Sequence, residues 1–268
     1  MQRKIRAIGA RETAFLAYVR LQGKTIVEFE DAVRFWGSRH YAKIAIHRLV
    51  RKRWLTQLER GKYLIIPLEA GESRQWTEDS FLIAHALVQP AAIGYWTAIR
   101  HWNWTEQIPR IIYVQTTARK RTPKRTILGV RYEFVTIPRG KFFGHTLEWR
   151  NATQVRVTDR EKTLLDCADD VGRAGGIEEL IKAVRSAAPE ISWQKLGEYS
   201  ARFPNKAALK RLGFLFETLL AHRPQEAEEV LSRWNNSLST GIALLQPSAK
   251  AKGSISTRWR LRVNTEVA

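Results

Sequence analysis

Hydrophobic and polar positions follow a helical period through the first fifty residues. In Arg11–Arg20, Phe15, Leu16 and Val19 share one side while Arg11, Glu12 and Arg20 point away from it, which predicts an amphipathic helix. Gly23 lies just past its end and supplies the stop. Thr25–Phe29 is β-branched and aromatic and predicts a strand. Glu30–Trp36 predicts a short second helix closed by Gly37, and Ser38 offers a hydroxyl as N-cap for a third helix over Arg39–Arg53. In that third helix Ala42, Ala45, Ile46, Leu49 and Val50 recur at the spacing of a single buried stripe. At about 100° per residue, the opposite face carries His40, Lys43, Ile44, His47, Arg48 and Arg51. Leu55–Leu58 and Tyr63–Ile66 predict two strands joined by the turn Glu59–Lys62, where Gly61 admits the positive φ that a tight hairpin requires.

The pattern then changes. Pro67–Arg74 is polar and contains Pro and Gly, which predicts a linker and a domain boundary at 74/75. Thr77 can cap a helix over Glu78–Gln89, and Ala91–His101 continues in helical style. Arg110–Thr116 and Gly129–Ile137 predict strands, with shorter ones at Lys141–Phe143 and Thr153–Val157. Helical periodicity follows over Asp159–Asp170, Gly176–Ala188, Ser192–Tyr199, Lys206–Ala221 and Pro224–Leu231. Gln246–Ala268 reads as a loosely held tail, although Trp259 suggests that it docks. The expected class is α+β: an N-terminal winged helix-turn-helix domain (1–74), a mixed α+β domain with a small sheet and a C-terminal helical bundle (75–246), and a tail (247–268). No internal repeat is visible.

Charge gives this outline a direction. The 268 residues carry a net charge of +19. Residues 1–67 hold fifteen Lys and Arg against five Asp and Glu, a surplus of +10, so half the excess sits in a quarter of the chain. Such a basic module attracts a polyanion. In a winged helix the second helix of the turn enters the major groove. Ser38, Arg39, His40, Lys43, Ile44, His47, Arg48 and Arg51 are therefore the candidate DNA-binding residues, with Ile44 suited to a thymine methyl group. Arg60 and Lys62 at the hairpin tip would follow the adjacent backbone or minor groove. A basic helix face is otherwise simply solvated; the element order, buried stripe and Gly-centred basic turn together favour double-stranded DNA as partner. A second cationic group, Arg119, Lys120, Arg121, Lys124 and Arg125, lies between two predicted strands, and Lys206 and Lys210 share a helix face. Both are candidates for a second anionic contact, against the plain alternative of solvated surface.

Several chemistries are discounted. One Cys excludes a disulfide framework and fits a reducing compartment. No apolar stretch approaches the ~20 residues of a membrane span, and Met1–Ala10 lacks the apolar core of a secretory signal, so a cytoplasmic setting without membrane contact is expected. Asp159, Glu161, Lys162 and Asp166 invite a metal-nuclease reading, but Asp159 and Glu161, two apart on a helix, face differently, and Asp159 suits the first turn as an N-terminal acid. The six His residues (40, 47, 85, 101, 145, 222) show no metal-ligand spacing, and Cys167 lies among core residues. Gly172–Gly176 lacks the Gly-Lys-Ser/Thr ending of a phosphate loop. No catalytic residue, metal or cofactor is expected.

The segment Glu59–Pro67, the helix Ala91–Ile99, the strand Ile111–Thr117, the run Val155-Arg-Val-Thr-Asp-Arg-Glu-Lys-Thr-Leu-Leu-Asp166, the pair Gly175-Gly176 and Leu209-Lys-Arg-Leu-Gly-Phe-Leu215 occur in an order that resembles the AbiEi antitoxins of type IV toxin–antitoxin systems. The similarity runs over roughly residues 10–225. The resemblance implies an N-terminal winged helix that binds inverted repeats in its own promoter and represses the operon. It also implies a C-terminal domain that counteracts a nucleotidyltransferase-like toxin, in many members without a stable complex, and it implies no enzyme activity. The ten Trp residues, Trp96, Trp102 and Trp104 among them, and the chain beyond Gln246 depart from the family pattern. An alternative is a stand-alone winged-helix regulator whose C-terminal body senses a ligand, with Tyr95, Trp96, Trp102 and Trp104 lining the pocket; a DNA-targeted nuclease centred on Asp166 is a third.

Overall fold

The computed structural model describes residues 7–71 and 76–267. Residues 1–6, within the stretch read for a secretory signal, and 72–75, at the end of the expected linker, lie outside it, as does residue 268. The chain is α+β and divides into two compact units. One comprises the chain up to Pro90 together with 126–130 and 148–155; the other comprises 91–125, 131–147 and the chain from Arg156 onward. The division thus falls after Pro90, beyond the 74/75 boundary read from linker composition.

The first unit opens with α1 (Ala10–Leu21), β1 (Ile26–Glu28), α2 (Phe29–Trp36), α3 (Arg39–Arg51), β2 (Leu55–Glu59) and β3 (Lys62–Ile65). The strands form an antiparallel sheet in the order β1-β3-β2, with Val27 opposite Tyr63 and Thr56 opposite Leu64. Phe15, Val19, Val27, Ala32, Ala42, Ile46, Leu49, Leu55 and Ile65 build its core. Each large aliphatic or aromatic side chain fully buried there contributes about 1.5–3 kcal/mol of hydrophobic stabilisation. Phe15 packs on Trp36 at 4.4 Å between ring centroids, and Phe35 on Trp36 edge-on at 5.0 Å. Gly37 ends α2 at φ 68°, a conformation open to glycine without strain. Ser38 then caps α3, its Oγ accepting from the amide of Tyr41 at 3.4 Å. A later helix, α4 (Ser80–Leu87), is capped by Asp79, which accepts from the amides of Phe81 and Leu82, and not by Thr77 as its hydroxyl suggested.

The second unit contains most of a six-stranded mixed sheet. Its strands are β4 (Ala92–Ile93), β5 (Ile111–Thr116), β6 (Lys124–Ile127), β7 (Val130–Thr136), β8 (His145–Arg150) and β9 (Thr153–Thr158), in the order β6-β7-β5-β4-β9-β8. β5 and β7 run parallel, with Val114 level with Phe134. Two expectations are corrected here. Ala92–Ile93 is a strand between β5 and β9, so helix α5 covers only Tyr95–His101. Residues 139–141 form a helical turn, and the strand expected at Lys141–Phe143 begins instead at His145. Helices α6 (Arg160–Asp169), α7 (Ile177–Ala187), α8 (Trp193–Arg202), α9 (Lys206–Leu219) and α10 (Gln225–Asn236) surround a core that includes Leu164, Leu180, Leu196, Leu212 and Phe216.

The tail is also corrected. It contributes β11 (Ser254–Ser256) and β12 (Leu261–Val263) to a small sheet with β10 (Ala243–Leu244), which precedes it, and Trp259 and Leu261 are buried in the helical core. The Trp259 indole donates to Glu217 at 2.6 Å. Gly213 on α9 leaves room for the ring, since a Cβ there would lie 2.1 Å from it.

Candidate nucleic-acid interface

The stripe read from the sequence of α3 is the stripe that packs. Ala42, Ala45, Ile46 and Leu49 are buried, while Arg39, His40, Lys43, Ile44, His47, Arg48 and Arg51 are exposed. Ser38 is half-buried, its Oγ spent on the cap. Ile44 is 37% exposed and Tyr41, on the first turn, 65%. Tyr41 was missed because its ring counts as apolar in a periodicity argument. Its exposure beside His40, 6.1 Å away between ring centroids, gives the helix start a flat face and a phenol for phosphate or base contact.

The electrostatics of this face depend on where the acids of the unit go. Lys52 pairs with Glu12 at 2.6 Å, Lys24 with Asp31 at 2.7 Å, Arg39 with Glu30 at 2.9 Å and Lys62 with Glu59 at 3.5 Å. Burial raises the Glu12 carboxyl, but the bonds from Lys52 and the Gly9 amide outweigh it and hold the group below the usual carboxylate range. Four of the five acids among residues 1–67 are thus neutralised within the unit. Lys43, Arg48, Arg51 and Arg60 have no carboxylate within ion-pair distance among the described residues. Such a row of solvated cations can release counterions from a duplex.

The hairpin turn is fixed from behind: Gly61, at φ 82°, accepts through its carbonyl from the Phe29 amide at 2.7 Å. Arg60 points into solvent at its tip. Lys62 does not. Its ammonium donates to the Ala86 carbonyl and pairs with Glu59, and its side chain is 23% exposed, so the Lys62 charge is already engaged within the unit and is less open to an outside anion than that of Arg60. Arg39 is held partly by Glu30 and by the Phe29 ring, 5.3 Å away.

The second cationic group is divided. Arg119, Arg121 and Lys124 are exposed; Lys120 lies over the Phe134 ring at 5.1 Å, Arg125 is half-buried, and Lys124 is 3.6 Å from Glu133. The Lys206–Lys210 pair does not form a face. Lys210 is buried and donates to the Gly241 carbonyl, and burial lowers its pKa. Arg211 beside it is buried against the carbonyls of Leu244 and Ala168 at 2.8 and 2.7 Å. Lys206 alone remains half-exposed.

The residues considered for a nuclease serve the fold. Asp159 caps α6 through the Lys162 amide and accepts from the Tyr199 hydroxyl at 2.9 Å. Lys195 bridges Asp159 and Glu161 at 3.1 and 3.0 Å. Asp166 is buried against Lys162 and accepts from Gln115 Nε2 at 2.6 Å. Among the described residues no group of three His, Cys, Asp or Glu is arranged to hold a metal ion. The aromatic set Tyr95, Trp96, Trp102 and Trp104 is taken up in packing: Tyr95 and Trp104 are core, and Trp96 and Trp102 pack against it, with the Trp102 indole donating to the Thr158 carbonyl at 3.0 Å. No helix among the described residues is long and apolar enough to cross a membrane.

No protein-family model matches the chain, and no curated protein matches it. Among solved structures, the crystal structure of the RV2827C protein from Mycobacterium tuberculosis is similar. It aligns over 96% of this chain and 92% of that one with a TM-score of 0.65, at 16% sequence identity. At that identity the likeness concerns the fold alone.

Proposed function

We propose that the chain is a DNA-binding transcriptional autorepressor and antitoxin of the AbiEi kind, acting in the cytoplasm and not as an enzyme. In this reading the first unit is a winged helix-turn-helix: α2 and α3 form the turn, β2 and β3 the wing, and α3 is the helix that enters the major groove. One observation carries it. Four of the five acids among residues 1–67 are engaged by other cations, whereas Lys43, His47, Arg48 and Arg51 stand together on the solvent face of a helix anchored through Ala42, Ile46 and Leu49. Lys43, Ile44 and His47, with Tyr41, would meet base edges, and Arg48, Arg51 and Arg60 would meet phosphates. The antitoxin role, against a nucleotidyltransferase-like toxin, rests on the sequence resemblance alone.

The two roles are separable in the full chain. Footprinting should find a protected inverted repeat upstream of its own gene, and the double variant Lys43→Ala, His47→Ala should lose that protection. The same variant should still rescue growth from a toxin encoded alongside. No protected repeat would remove the repressor role; no rescue by the wild-type chain would remove the antitoxin role.

A further inference from the structure

The second unit holds a cleft of about 300 Å³ where α8, α9 and α10 meet. Its apolar side is formed by Leu209 and the buried Trp234. The polar groups of its floor are already satisfied: the Trp234 indole donates to Ser200 Oγ at 2.6 Å, and that hydroxyl donates to the Gly197 carbonyl at 2.7 Å. Two charged side chains, Lys206 and Arg233, also line it, and neither has a carboxylate within ion-pair distance among the described residues; Arg233 Nε donates to the Glu229 carbonyl at 3.4 Å, which leaves its two terminal nitrogens for a ligand. Glu229, one turn before Arg233, has its carboxylate engaged by Gln225 at 3.2 Å. Gly197 helps to place the guanidinium, since a Cβ there would lie 3.1 Å from Arg233 Nη2.

We propose that this cleft binds a small organic anion, a carboxylate or phosphate monoester carrying a flat apolar group. The volume lies at the lower end of small-ligand sites, which combine an apolar wall with a few converging polar groups. Lys206 and Arg233 take the anionic head, with Arg233 offering the planar fork suited to carboxylate or phosphate. Trp234 and Leu209 take the apolar part. The floor offers no unpaired donor that would select a neutral polar ligand. The site belongs to the second unit and does not depend on the DNA-binding reading.

The test is calorimetric titration of the full chain with phenyl phosphate, with benzoate as the carboxylate arm and phenol as the uncharged control. Phenyl phosphate, benzoate or both should bind saturably at one site, and phenol should not. Lys206→Gln with Arg233→Gln should weaken the binding at least about tenfold, each change alone giving part of that loss. Lys250→Gln, an exposed cation elsewhere, and the Lys43→Ala, His47→Ala variant should bind as the wild type does. No saturable binding of either anion up to about 10 mM, equal weakening by Lys250→Gln, or unchanged affinity in both the single and double cleft variants would overturn the proposal.

Discussion

Replacing Arg48 and Arg51 by Gln tests whether the outer face of α3 meets a phosphate backbone. Both side chains are exposed, and the residues that anchor the helix, Ala42, Ile46 and Leu49, are untouched. Gln retains helix propensity close to that of Arg, so folding should be preserved. Five cations on α3 and at the hairpin tip face solvent, Arg39, Lys43, Arg48, Arg51 and Arg60. If each neutralises one phosphate, the slope of log K against log salt is about −4.5 per bound copy, and the variant, with three, reaches about −2.7. Raising salt from about 50 to 200 mM would then weaken the wild type about 500-fold and the variant about 40-fold. Gel-shift titrations at four salt concentrations measure both slopes. Identical slopes would refute the phosphate assignment of Arg48 and Arg51, whatever the absolute affinities.

The same structure makes further predictions. Leu49→Ala opens a cavity in the core of the first unit and should cost about 2–5 kcal/mol, read as a lower urea midpoint for that unit with the second unit unaffected. Trp259→Ala should destabilise the second unit by about 3–5 kcal/mol, because the tail's ring fills the space over Gly213; a change below about 0.5 kcal/mol would mean that the tail does not dock. Burial holds the His145 imidazole down at about 4, with Lys162 and Arg156 adding repulsion. A group depressed in the folded state takes up its proton more readily when unfolded, so its contribution is complete above the ordinary value of 6.5 and is lost as pH falls from there towards 4. Denaturation midpoints of the second unit should already decline between pH 6.5 and 5.5, above the range where most carboxylates protonate, and His145→Phe should flatten that decline.

Much of the first unit was legible in the sequence because its signals are local. The period of Ala42, Ile46 and Leu49 fixes the inward side of α3, the Ser38 hydroxyl lies three residues from the amide it accepts from, and Gly61 marks its own turn. The errors come from partners that sequence distance conceals. Lys62 resembles Arg60 until Ala86, twenty-four residues on, supplies a carbonyl for its ammonium. Lys210 shares a helical face with Lys206, but the chain around Gly241 covers it and leaves Lys206 open. Ala91–Ile93 looks helical by composition, yet its place between β5 and β9 makes part of it a strand, an instance of tertiary context overriding propensity. The tail looks polar and loose because the groups that anchor it are few, Trp259 and Leu261, and the glycine that admits the Trp ring lies more than forty residues earlier.

Whether α3 reads bases is tested most directly by competition binding of the wild type and the Lys43→Ala, His47→Ala variant to the inverted repeat and to a scrambled duplex of equal length at one salt concentration. The account predicts that the wild type prefers the repeat and that the variant loses about 1–3 kcal/mol of that preference for each base contact removed, while binding the scrambled duplex nearly as before apart from the one charge lost. A wild type that binds both duplexes equally, or a variant that keeps the full preference, would contradict it.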